Sequence, residues 1–137
     1  MKFMLLALGT VAMAAGQSES KAIMINLDNA NWTHGKGDPA GSESVLVGQD
    51  KASGGMELLV RFPSGHVIPP HWHESNERII VLEGQLTLGQ STGDAILNSG
   101  GFAFLPAKEI QRLSCTSKSR CTFYLFWDGK FQSHAAK

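Results

Sequence analysis

The chain has 137 residues, one domain's worth, with 12 Lys+Arg against 12 Asp+Glu and five His. A formal charge of zero, with no block of like charges, excludes an electrostatic nucleic-acid binder and charged interaction tails. Hydrophobic content of 42% is too high for disorder, and 15 glycines favour a turn-rich β protein over a helical bundle.

The first segment has the pattern of a targeting signal. Lys2 precedes an apolar run from Phe3 to Val11, and Ala12-Met13-Ala14 supplies a small-x-small cleavage site. Composition then turns polar over Gln17-Ser18-Glu19-Ser20-Lys21. Residues 1–14 read as a secretory signal peptide, cleaved near Ala15. The run falls short of the roughly 20 residues needed to span a bilayer. The expectation is an exported protein, periplasmic or secreted, with no stable membrane insertion after cleavage. Export means an oxidising compartment. Cys115 and Cys121 flank the polar turn Thr116-Ser117-Lys118-Ser119-Arg120 between two apolar strands. Positions symmetric about a hairpin turn lie opposite each other, so a disulfide between them is predicted. Their spacing is not that of a zinc pair.

Past the signal, residues 28–43 are rich in Gly, Asn, Asp and Pro and read as a long loop. This loop carries a glycosylation sequon at Asn31-Trp32-Thr33. Strands follow at Val45–Val47, Met56–Phe62, Arg78–Leu82, Gln85–Leu88, Ala95–Leu97, Phe102–Leu105, Ile110–Cys115 and Cys121–Trp127. The near-continuity of Arg78–Leu82 and Gln85–Leu88 across Glu83-Gly84 predicts a tight hairpin. No segment keeps a helical period. Short strands punctuated by Gly and Pro give one antiparallel β domain, a sandwich or barrel, over residues 22–137.

Three motif matches lack their structural context. Gly89-Gln90-Ser91-Thr92-Gly93 fits G-x-S-x-G but sits in a turn between short strands, where no nucleophile elbow forms. Gly35-Lys36-Gly37-Asp38-Pro39-Ala40 fits a dinucleotide fingerprint without a βαβ unit around it. His73-Glu74-Ser75-Asn76-Glu77 begins like a zinc-protease helix but lacks the second His, and Pro69-Pro70 upstream opposes a helix.

One constellation remains: Gly65, His71, His73, Glu77 and Gly84. Side chains at i and i+2 of a strand share a face, about 7 Å apart along the backbone, so His71 and His73 can converge on one ion. Glu77, past a Glu74-Ser75-Asn76 turn, is placed on the neighbouring strand, close enough to add a carboxylate. Two His and one carboxylate leave open positions for substrate, water or O2.

The spacing G-x5-H-x-H-x3-E-x6-G resembles the first motif of the cupin superfamily, with every fixed position filled. The second cupin motif, G-x5-P-x-G-x2-H, is matched in part. Gly100 and Pro106 fit, while Lys108 holds the Gly position and Gln111 the His position. Together the motifs cover about residues 65–111. The resemblance implies an all-β, single-domain jelly-roll barrel with a metal in its mouth, and a homodimer. It implies His71, His73 and Glu77 as ligands of one divalent transition metal (Mn, Fe, Ni, Cu or Zn), with Gln111 as a weaker amide ligand, as the partner of a metal-bound water, or as the mark of a metal site that has decayed. No His lies between His73 and His134, so no shift of register restores the missing imidazole. His66 reads as a rim residue, His34 as part of the Gly-rich loop and His134 as part of a frayed C-terminal tail. Two functions follow. The first is a metal-dependent enzyme acting on a small organic substrate inside the barrel. The second is a non-catalytic ligand- or metal-binding cupin, a sensor or scavenger.

Overall fold

The computed structural model describes residues 21–137; the signal peptide expected over 1–14 lies outside the described residues. After a single 3-10 turn at Leu27–Asn29, every regular element is a strand: β1 (Glu43–Gln49), β2 (Met56–Phe62), β3 (Val67–His73), β4 (Glu77–Glu83), β5 (Gln85–Gln90), β6 (Gly93–Asn98), β7 (Phe102–Leu105), β8 (Gln111–Cys115), β9 (Cys121–Trp127) and β10 (Ser133–Ala135). They form two five-stranded antiparallel sheets, in the orders β1-β2-β9-β4-β7 and β10-β3-β8-β5-β6. The arrangement is a jelly roll.

Period-two alternation decides what enters the space between the sheets. From the first sheet it sends in Val60, Phe62, Ile79, Val81, Phe123 and Leu125; from the second, Leu86, Leu88, Leu113 and Cys115. Phe62 meets Phe123 edge-on at 5.0 Å. Fully burying one such side chain stabilises by about 1.5–3 kcal/mol, which is why these positions carry no polar residue.

Alternation also drives four polar residues inward: His71, His73, Glu77 and Gln111, all less than a tenth exposed. Pairing puts them at one end of the sandwich. His71 lies opposite Gln111 on β8, and Glu77 opposite Trp127 on β9.

Two expected hairpins are replaced by crossings between sheets. Arg78–Leu82 and Gln85–Leu88 lie in β4 and β5, which belong to different sheets; β5 pairs instead with β6 and β8. The reason lies at Gly84, which has φ +78 and whose added Cβ would stand 2.6 Å from the Arg120 carbonyl oxygen. Only glycine fits this corner, and the chain there turns from one sheet into the other. Likewise β8 and β9 are not partners. Cys115 and Cys121 are bridged, with Cα atoms 5.8 Å apart, but the bridge joins the ends of strands in opposite sheets. It closes the end of the sandwich away from the polar residues.

The C-terminal segment also differs from expectation. Residues Ser133–Ala135 form β10, antiparallel to β3. His134 stacks on Trp72 with ring centres 4.1 Å apart and lies 3.3 Å from the Glu74 carboxylate, so the segment is paired rather than frayed.

Candidate functional site

Strand β3 carries Pro69-Pro70, which have no amide hydrogens to give to β8. The pairing register of β3 with β8 accordingly shifts between Ile68 and His71. Beyond the shift, His71 and His73 both face inward, with Trp72 outward between them. Their ring centres are 4.9 Å apart.

Each imidazole is oriented by a backbone carbonyl. His71 Nδ1 donates to Pro69 O at 2.7 Å, and His73 Nδ1 to Gln132 O at 2.9 Å. A carbonyl can only accept, so both Nδ1 atoms carry protons and Nε2 is the nitrogen available to a ligand. Phe131 and Trp127 pack against the His73 ring, each with its centre 5.6 Å away.

Glu77 is contributed by the opposite sheet and not by a strand beside β3. Its Oε2 lies 3.2 Å from His73 Nε2 and accepts a hydrogen bond from the Gln111 amide. The turn before it is held by Asn76, whose amide donates to Asp128 Oδ2 at 2.8 Å and whose Oδ1 accepts from Ala107 N at 2.9 Å. Asn76 thereby fixes where β4 begins and so where Glu77 points.

The two histidines differ in charge preference. Burial pushes the His71 pKa below the ordinary histidine value, and neighbouring His73 adds to the effect. Burial opposes the imidazolium of His73 too, but the Glu77 hydrogen bond and charge outweigh it and hold its pKa above the ordinary histidine value. Burial also lowers the pKa of His66, which packs on Phe62 with ring centres 4.4 Å apart. His34 Nδ1 donates to Ser42 O at 2.8 Å in the loop before β1. Neither His66 nor His34 is on the cavity wall.

The four residues expected at the site are therefore brought together, in a particular way. Glu77 is tied to His73 and Gln111. Among the described residues, no three His, Cys, Asp or Glu side chains stand in a closed cation-binding arrangement. The donor set nonetheless fits a divalent metal on two counts. His73 Nε2 and Glu77 Oε2, 3.2 Å apart, share a proton here and stand at the spacing of two donors on one metal. Adjacent donors on one metal, at bond lengths of about 2.1 Å, stand roughly 3 Å apart. Gln111 Oε1, in addition, is buried without a hydrogen-bond partner.

His71, His73 and Glu77 line a cavity of about 450 Å³ between the sheets, to which Ser42, Ser44 and Ser133 add hydroxyl groups. Its remaining wall is mainly apolar, and the Gly-rich loop around Gly35, Gly37 and Asp38 contributes to it. Sequence reasoning missed Asn76, Phe131 and the Gln132 carbonyl. Their contacts span 31 to 59 residues, and none belongs to a local pattern.

The ChrR cupin-like domain family matches residues 20–129. No functionally curated protein matches the sequence. Among solved structures, the polyketide cyclase RemF from Streptomyces resistomycificus superposes with TM-score 0.69 at 16% identity, covering 85% of this chain and 87% of that one. A sugar phosphate isomerase of the cupin superfamily from Silicibacter pomeroyi gives 0.67 at 19% identity, covering 84% and 82%. Anti-sigma ChrR in complex with SigE, from Rhodobacter sphaeroides, gives 0.59 at 16% identity, covering 75% and 52%. At such identities the likeness is one of fold. The family match spans most of the chain and includes the complete first cupin motif and the partial second one, and so this protein belongs to the ChrR cupin-like domain family of the cupin superfamily.

Proposed function

We propose that this is an exported metal-dependent cupin that acts on a small organic molecule held inside the barrel. His71, His73 and Glu77 hold one divalent transition metal (Mn, Fe, Ni, Cu or Zn), and Gln111 holds Glu77 in place while offering Oε1 toward the fourth position. The observation that carries the reading is the pair of Nδ1–carbonyl hydrogen bonds, which leaves both Nε2 atoms for a ligand beside a buried carboxylate, a metal replacing the proton that His73 shares with Glu77. When bound, the metal supplies Lewis-acid or O2- or water-activating chemistry. The chain's own residues orient the ligands and exclude water from them: Phe131 and Trp127 cover His73. The cysteine bridge supports the oxidising compartment that the signal peptide implies. The zero formal charge supports a small-molecule partner over a nucleic acid. A homodimer belongs to the same proposal, supported by the exposed pair Ile80 and Phe102, opposite each other on β4 and β7.

A non-catalytic binding role is the second reading, favoured by Gln111 standing where an imidazole is usual. Elemental analysis of protein purified without added metal tests the shared core of both. Wild type should carry one metal per chain, and His71→Ala and His73→Ala should carry almost none. Gln111→Ala should weaken binding modestly, because water can fill the gap. Gln111→His should tighten it and favour Ni, Cu and Zn, since imidazole is a stronger donor than an amide oxygen. Stoichiometric metal in the double His variant would remove the assignment. Turnover on a substrate panel separates the two readings.

A further inference from the structure

The cavity's composition constrains what it can take. Resting on the metal-site reading above, we infer that its ligand is an uncharged molecule with a predominantly apolar, ring-containing body and one polar edge. The wall beyond the site includes Leu58, Val60, Phe123, Leu125, Trp127 and Phe131. Among the described residues, no Lys or Arg lines it, and its acidic members are Glu77 and Asp38. A phosphate or carboxylate inside would therefore meet no Lys or Arg, and His73 is already paired with Glu77, so its charge would be buried unpaired, which is strongly disfavoured. A divalent metal does not change this balance, because Glu77 and Asp38 together already match its two charges.

Geometry sets the orientation. The polar edge of the ligand faces His71, His73 and Glu77, where hydrogen-bonding and coordinating atoms are concentrated. The ring body lies against Trp127 and Phe131, whose faces and edges suit a flat ring. At about 450 Å³ the cavity has room for two or three fused rings. Leu46, on the cavity wall yet 57% exposed, marks the rim.

Calorimetric titration of the purified protein with naphthol, naphthoate and naphthyl phosphate tests the inference, because the three share one ring body and differ in charge. Each is titrated into chelator-treated and zinc-loaded protein. Naphthol should bind once per chain, about tenfold or more tighter than either anion in the chelator-treated protein. Leu46→Arg, which adds a cation at a tolerant rim position, should narrow that gap by strengthening naphthoate. Anions that bind wild type as tightly as naphthol, or an absence of saturable naphthol binding, would overturn the inference. Failure of the metal reading looks different: zinc is not retained at one per chain, while the naphthol preference persists in the chelator-treated protein.

Discussion

At position 108 a lysine occupies backbone that the cupin pattern reserves for glycine. Its φ is +68, and it is the one non-glycine residue with positive φ among the described residues. The conformation is held because Lys108 N donates to His73 O at 2.8 Å, tying the turn before β8 to the site strand. For a residue with a Cβ, this backbone region costs about 1–2 kcal/mol. Glycine would relieve that strain but would lose about 0.5–1 kcal/mol through its freer unfolded chain. Lys108→Gly should therefore stabilise the protein by roughly 0.5–1 kcal/mol. The midpoint of urea unfolding should rise at constant slope, and an unchanged or lower midpoint would show that the lysine is not strained. The sequence pattern marks this position as special, and the backbone angle gives the reason. At Gln111 the pattern marked a departure equally well, but only the packed structure shows the amide donating to Glu77.

At the scale of elements, β10 joins the site to the chain terminus. It pairs with β3 over Ser133–Ala135, and just before it Phe131 packs on His73 while the Gln132 carbonyl accepts from His73 Nδ1. The hydrophobic core is built from β2, β4, β5, β7, β8 and β9, so it does not depend on this segment. Ending the chain after Lys130 should leave a folded barrel whose metal affinity falls by about 10–100-fold, the usual effect of losing a partner that orients a ligating histidine. Metal titration beside circular dichroism would decide it; undiminished affinity in a folded truncation would mean that His73 is held by β3 alone. The sequence did not reveal this strand, because three residues, Ser-His-Ala, carry no apolar alternation. The longer strands were legible for the opposite reason: β2, β7 and β9 have the expected boundaries, each an apolar run ended by a turn residue. What local pattern could not supply was sheet membership. Neighbours in sequence normally pair, and here the chain crosses between sheets after β2, β3, β4, β6, β7, β8 and β9. Glu77 was consequently expected on the correct side of the site but from the wrong sheet.

For the whole molecule, the two ends of the sandwich have separate tasks. One end gathers the polar site and the cavity; the other is closed by Cys115–Cys121, both at most 1% exposed. Because the bridge links β8 to β9, and so one sheet to the other, it resists separation of the layers and not merely the opening of a turn. Its loop is short, with a sequence separation of 6, so chain entropy limits its contribution to about 2 kcal/mol. In a domain of this size that corresponds to a melting temperature lower by roughly 5–10 °C. Cys115→Ala with Cys121→Ala should show this loss, while metal affinity and naphthol binding stay unchanged because the site lies at the opposite end. Intact mass after alkylation without reduction checks the starting point: the wild-type chain should take up no alkyl group, and two adducts would mean free thiols. If the double variant melts lower and also loses metal, the two ends are coupled through the core, and the sandwich is not divided between a structural end and a binding end.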